Sequence, residues 1–269
     1  MFPTADEFHD GVDETRNARF RDEFAGITDF PFPSPTLSVL SVHPRLIDLA
    51  ERLLGTDHLR VYSIEAWAKY TGAADYGQPH HRDYLNHSLL VPAPGQPARQ
   101  VEMFLYLSDV PPELGPPSFV PRHRTDGLPA LPNWYPSARE EADPDHPTWV
   151  STDGHPDLYE VEVSGAGPAG TVVAYRIETF HRGTALSQPR GARYTIHVNF
   201  RTTDADWIGR RAWVDLSNQP DWHAFMGAAS PRQLELFGVP PPGHPYWTDE
   251  TLAGMTQRYP GLDVAPWRS

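Results

Sequence analysis

The chain has 269 residues, including 30 prolines and no cysteine, and 22 Lys and Arg against 35 Asp and Glu give a formal net charge of −13. The absence of thiols excludes a disulfide framework, a thiolate metal site and a cysteine nucleophile, and the acidic balance argues against nucleic acid or an anionic membrane as partner. The N-terminal segment MFPTADEFHDGVDETRNARF has no basic stretch leading into an apolar run, and no run of about 18 apolar residues occurs, so a cytoplasmic protein without a membrane span is expected.

In chain order, residues 13–25 read as a charged surface helix. PRLIDLAERLL (44–54) is a stronger helix, with Leu46, Leu49, Ala50, Leu53 and Leu54 on one apolar face, Pro44 at its start and Gly55 as a stop. The pattern then changes. LRVYSIEAWAKY (59–70), VEMFLYL (101–107), LYEVEV (158–163), TVVAYRI (171–177) and RYTIHVNFR (193–201) are rich in β-branched and aromatic residues and bounded by Gly, Pro and Asp, so they read as strands. Residues 111–157 hold eleven prolines and the acidic run Glu140, Glu141, Asp143 and Asp145. A connection of that length is expected to act as a lid or binding loop, and the interleaved Trp, Tyr and Phe argue that it is ordered. Helices return at the C-terminus, one opened by Ser230-Pro231 and closed by Gly238, another capped by Thr248 and ended before Pro260.

Strands joined by irregular connections, without regular helices between them, predict a mainly-β antiparallel sandwich or barrel with flanking helices at both termini. The expected organisation is a single domain over 1–269, with a strand-rich core at about 59–201, a lid-like loop at about 111–157 and a helical segment at about 205–269.

The chemistry centres on GQPHHRDYLNH (77–87). On a strand, His81 and Asp83 share a face with Cα atoms about 6.5–7 Å apart, close enough to converge on one metal ion. His181, at the end of the apolar strand TVVAYRI, supplies a third ligand. Two histidines and one carboxylate on one side of an octahedron leave positions open for a 2-oxo acid and O2, the arrangement of non-haem Fe(II) oxygenases. A 2-oxo diacid also needs a cation for its far carboxylate. Alternation along RYTIHVNF places Arg193, Thr195, His197 and Asn199 on one face, so Arg193 can pair with that carboxylate in bidentate fashion and Thr195 can add a hydroxyl.

These residues resemble those of the phytanoyl-CoA dioxygenase family of Fe(II)/2-oxoglutarate oxygenases. The resemblance runs from about Leu59 to Arg201 and includes His81-Arg82-Asp83, the segment DVPPELGPPSFVPRH (109–123), and His181 with Arg193. It implies a double-stranded β-helix (jelly roll) for the core at about 59–201, iron held by His81, Asp83 and His181, and 2-oxoglutarate held by Arg193. It further implies oxidative decarboxylation of 2-oxoglutarate to succinate and CO2. Halogenases of the superfamily carry a small residue at the carboxylate position. The retained Asp83 therefore implies hydroxylation, desaturation or cyclisation of a small organic metabolite. The family's Pro-Gly-Ser-His element is replaced by Pro121-Arg122-His123, and the step from His181 to Arg193 is about one residue longer than usual, which makes Arg190 a rival cation. Nothing in the chain reads as a coenzyme A site.

Other residues carry weaker expectations. Lys69 and Gln78 are candidate 2-oxoglutarate contacts, with solvated or structural roles as the alternative, and Tyr106 and Trp67 are candidate substrate contacts whose simpler reading is core. His123 and His87 are candidate substrate contacts whose simpler reading is a surface or loop histidine. His80 points away from His81 and reads as a packing or solvent histidine, His197 as an interior one, and the acidic run as solvated. The alternatives from other classes are a non-catalytic small-molecule-binding β-sandwich and a zinc hydrolase using the same His/Asp/His site. Neither needs a buried arginine opposite the metal.

Overall fold

Strands form at Thr28–Asp29 (β1), Leu59–Tyr70 (β2), His80–His81 (β3), Gln100–Tyr106 (β4), Pro117–Phe119 (β5), Trp134–Tyr135 (β6), Val163–Ser164 (β7), Val172–Arg176 (β8), His181–Gly183 (β9) and Ala192–Thr202 (β10). Helices form at Ala5–His9 (α1), Glu14–Ala18 (α2), Pro35–Ser41 (α3), Pro44–Leu54 (α4), Tyr84–His87 (α5), Pro156–Glu160 (α6), Pro220–Ala228 (α7), Pro231–Glu235 (α8) and Asp249–Arg258 (α9). The computed structural model describes residues 1–22, 24–73, 75–90, 97–141, 149–209 and 212–268. Asp143 and Asp145 of the acidic run lie outside the described residues.

The strands make two five-stranded sheets, with orders β1-β2-β10-β4-β8 and β6-β3-β9-β5-β7. This is the mainly-β, double-sheet arrangement expected of a jelly roll. The chain divides into two compact units: Met1–Ile27, Ala66–Gln96 and Glu102–His197 form one, and Thr28–Glu65, Pro97–Val101 and Val198–Ser269 the other. The first unit holds the whole second sheet. Its N-terminal segment is anchored by Phe8 and Phe20, which cluster with Ala68, Tyr70 and Ala192, while the Tyr70 and Tyr194 hydroxyls both donate to the Pro3 carbonyl. The second unit carries α3, α4 and α7 to α9. Its aromatic centre is Phe30, whose ring meets those of Phe32, Trp213, Trp222, Phe225 and Phe237. No helix among the described residues is long and apolar enough to cross a membrane.

Several elements follow their sequence signals closely. Helix α4 starts at Pro44, and Gly55 closes it in the left-handed region at φ 70°. Ser230 and Thr248 cap α8 and α9 through capping boxes. Other elements differ. The face that α4 buries is Leu46, Ile47 and Ala50, while Leu53 is exposed, so the stripe is centred on Ile47 rather than on the leucines. The helix expected over 13–25 is only Glu14–Ala18. Residues 158–163 are not a strand. Pro156 opens α6 and Leu158 is its buried residue, and extended pairing begins only at Val163. A proline at the first helical position is preorganised for a helix and prevails over the alternation that follows it. The proline-rich segment supplies two strands, β5 and β6. At three and two residues, these are too short for periodicity to reveal.

Candidate metal centre

The second sheet brings the histidines together. β3 and β9 are antiparallel neighbours with His81 opposite His181. On the outer sides, Trp134 of β6 stands opposite His81 and Phe119 of β5 opposite His181. Residues directly opposite one another share a face, so Trp134, His81, His181 and Phe119 form a row across four strands. The His81 ring stacks on Trp134 at 4.1 Å and 14°, and lies 4.5 Å from that of His181. Tyr175 and Phe119 approach His181 at 4.7 and 6.0 Å between ring centres.

Asp83 arrives differently from the expected strand spacing. β3 ends at His81, and Asp83 occupies the bend just before α5. The turn still brings its carboxylate between the rings, with Oδ1 3.5 Å from His81 Nε2 and Oδ2 3.2 Å from His181 Nε2. Donor atoms of the three residues all lie within 4.8 Å of one another. Arg82, between the two ligand candidates, fixes this turn. Its buried guanidinium donates to the carbonyls of Pro129, Ala130 and Pro132 at 2.7–2.9 Å and lies 4.3 Å from the Phe180 ring centre, while its own carbonyl accepts from Asn133 Nδ2.

The donor set suits a divalent metal. His81 Nδ1 is 2.9 Å from the Pro79 carbonyl and His181 Nδ1 is 3.1 Å from the Thr179 carbonyl. A carbonyl only accepts, so each Nδ1 carries the proton and each Nε2 is directed to the shared centre, as in sites where outer hydrogen bonds orient metal-binding imidazoles. Burial, helped by the neighbouring His181, pushes the His81 imidazolium down to about 4, with Asp83 opposing. Burial disfavours the ionised Asp83, yet the charge and hydrogen bond of His181, with His81 behind them, hold its carboxyl well below the usual range. Burial likewise lowers His181, but Asp83 outweighs it and the net shift is upward. The site is thus an ionised carboxylate set between two imidazoles, burial favouring the neutral form of His81 and Asp83 favouring the protonated form of His181.

Arg193 is buried on β10, and its Nη1 donates to the carbonyl of Gly115. Gly115 sits at φ +61°, and a Cβ there would meet the Thr184 carbonyl oxygen at 2.5 Å, so only glycine fits this close approach. The Gly115-Pro116 of the ELGPP stretch thereby lies against the candidate cosubstrate cation. Arg190 is placed elsewhere, in exposed ion pairs with Asp6 and Asp10 at 3.2 and 2.8 Å. Thr195 is buried on the Arg193 face, with Oγ1 3.3 Å from His197 Nε2. Lys69 is buried with Nζ 5.8 Å from the Tyr76 ring centre. Gln78 Oε1 accepts from Gly183 N–H at 3.0 Å, which ties it to β9.

Among the substrate candidates, Tyr106 is buried and donates to the Gly165 carbonyl at 2.7 Å. Trp67 stacks on His197 at 4.6 Å and 7°. His123 stands exposed on a short 3-10 turn at Arg122–Arg124. His80 is fully buried, with Nε2 2.9 Å from Glu162, so of its two expected environments packing is the one realised. His87 is buried, with Nδ1 2.5 Å from Glu102 Oε1, which corrects the surface reading. Sequence reasoning missed Trp134, Phe119, Tyr175, Glu102 and Glu162. Their places depend on cross-strand register, which no local pattern carries.

The family model for phytanoyl-CoA dioxygenase (PhyH) matches residues 9–192. The chain belongs to this family. No protein of curated function matches it by sequence. Among solved structures, the family member aligns with the epimerase SnoN in complex with Fe3+, alpha ketoglutarate and nogalamycin RO, at 22% identity and TM-score 0.50 over 72% of this chain and 69% of that one. It aligns with the carbocyclase SnoK from nogalamycin biosynthesis at 24% identity and TM-score 0.48 over 68% and 66%. With EctD from S. alaskensis holding 2-oxoglutarate and 5-hydroxyectoine, the values are 18% and 0.44 over 67% and 59%. In another SnoN structure (20% identity, TM-score 0.47) the match takes in 65% of this chain and spans 60% of that chain's length. The first of these likenesses supports the double-stranded β-helix fold. The family match covers His81, Asp83 and His181 and ends one residue before Arg193.

Proposed function

We propose that this PhyH-family protein is an Fe(II)/2-oxoglutarate-dependent oxygenase of a small organic molecule, with His81, Asp83 and His181 holding the iron and Arg193 holding the distal carboxylate of 2-oxoglutarate. The observation that carries the reading is the two Nδ1-anchored imidazoles facing one ionised carboxylate. Iron and 2-oxoglutarate, when bound, supply an O2-dependent oxidation that releases succinate and CO2 and hydroxylates, desaturates or cyclises the substrate.

The chain's own residues do the rest. The Pro79 and Thr179 carbonyls hold the two imidazoles in the tautomer that ligates. Asp83 stays ionised across the neutral range, and an entering metal competes with any proton on His181 Nε2. Trp134, Phe119 and Tyr175 surround the histidines with aromatic surface and limit access of water. Arg193 presents a guanidinium that cannot be neutralised, and the Gly115 carbonyl orients it. The proline-rich 111–157 segment, which contributes both Trp134 and Phe119, is the proposed wall and lid of the substrate site, with Arg82 fastening 129–132 to the turn before Asp83.

The test is anaerobic addition of Fe(II) and then 2-oxoglutarate to the purified protein. A weak visible charge-transfer band is expected with wild type and none with Asp83→Ala. A folded wild type that takes up Fe(II) yet gives no band, and consumes no 2-oxoglutarate in air, refutes the oxygenase reading.

A further inference from the structure

On the face of the second sheet away from the metal ligands, the register that opposes His81 to His181 makes His80 and Arg182 the next cross-strand pair. One carboxylate clasps both. Arg182 donates through Nε and Nη2 to the two oxygens of Glu162 at 2.7 Å each, and His80 Nε2 lies 2.9 Å from Glu162 Oε2. Tyr159 reinforces the clasp. Its ring is 4.5 Å from that of His80 and 5.1 Å from the Arg182 guanidinium carbon. Its hydroxyl accepts from His80 N–H at 3.1 Å and donates to the Tyr135 carbonyl at 2.9 Å, reaching β6 as well. The stretch from α6 to β7 therefore crosses the back of the two ligand-bearing strands.

We infer that Glu162 is a positioning residue for the metal centre, setting the spacing and tilt of His81 and His181 from behind by clasping His80 and Arg182. The inference rests on the iron-binding reading above. Its physical basis is the brevity of β3 and β9, two and three residues. Strands that short have few ladder hydrogen bonds to define a donor geometry, whereas a charge-assisted bidentate pair is both strong and directional. Supporting contacts behind metal ligands carry roughly ten- to a hundredfold in metal affinity, and a site loosened by about 1 Å loses much of its function.

The test compares wild type, Glu162→Ala, Glu162→Gln, Ile47→Ala and Asp83→Ala by titration with Co(II), followed by competition for affinity and by ligand-field absorption for site geometry. Ile47 is a buried residue of α4 in the other unit, so its truncation lowers stability without touching the clasp. Glu162→Ala is expected to weaken Co(II) binding about tenfold and to alter the absorption spectrum. Glu162→Gln, which keeps size and one acceptor, shows a smaller loss in the same direction and carries the test if the alanine variant does not fold. Ile47→Ala binds like wild type at a lowered melting temperature. Wild-type affinity and spectrum in the folded Glu162 variants, or an equal loss in Ile47→Ala, overturns the inference while leaving the iron reading intact. A wild type that titrates no better than Asp83→Ala overturns both.

Discussion

Arg193 and Arg190 lie three residues apart in opposite surroundings, one buried against the Gly115 carbonyl and the other in exposed pairs with Asp6 and Asp10. Removing one partner of a buried charged pair costs about 2–5 kcal/mol, whereas exposed pairs are worth about 0–1 kcal/mol. Arg193→Ala is therefore expected to weaken 2-oxoglutarate binding about a hundredfold while iron affinity stays within about twofold. Arg190→Ala should leave both unchanged. Titration of the Fe(II) charge-transfer band with 2-oxoglutarate measures the difference, and an Arg190→Ala defect with normal Arg193→Ala binding would reverse the assignment. Sequence alternation put Arg193 on the polar face of its strand but left Arg190 as a rival. Burial separates the two, because only β10 carries its residue inward.

At the level of elements, the motif His81-Arg82-Asp83 brings its carboxylate to the histidines by a route other than the one its spacing suggests. The strand stops at His81, and a turn held by Arg82 delivers Asp83. The α6–β7 stretch shows the opposite case, with LYEVEV alternating like a strand but Pro156 starting a helix. Its exit places Glu162 behind the ligand strands, and this has a pH signature. Burial raises the Glu162 carboxyl, but His80 and Arg182 outweigh it and bring it down to about 2, from 4.5. A depressed folded value means that the stabilisation is complete above pH 4.5 and is lost as pH falls towards 2. The side chain is only 17% exposed, so the shift corresponds to about 3 kcal/mol. Glu162→Gln should thus be less stable than wild type by about 2–3 kcal/mol at pH 7. Denaturant unfolding across pH 2–7 should show that gap holding level down to about pH 4.5 and narrowing below it, and a gap that does not narrow in acid would contradict the ion-pair account.

For the whole molecule, the proposed ligands draw on segments about a hundred residues apart, so metal binding selects the folded chain over the unfolded one. At a metal concentration a hundred times the dissociation constant, the linkage is worth about 2.7 kcal/mol, or roughly 5–10 °C in melting temperature at this size. Fe(II) or Co(II) under anaerobic conditions should raise the melting temperature by that amount. A chelator should reverse the rise, and Asp83→Ala should show none. A rise of equal size in Asp83→Ala would place the stabilising metal elsewhere. The sequence by itself determined the long strands β2, β4, β8 and β10, the helix at 44–54, the caps at Ser230 and Thr248, and the three candidate ligands with Arg193, because each is written in local periodicity or in a short spaced motif. Only the tertiary structure decided that Trp134 and Phe119 flank the histidines, that Gly115 meets Arg193, that Arg82 holds the turn to Asp83, and that Glu162 stands behind the site. The first of these contacts joins strands of two or three residues through register, the others bring residues outside the strands against distant segments, and both are set by packing rather than by any pattern along the chain.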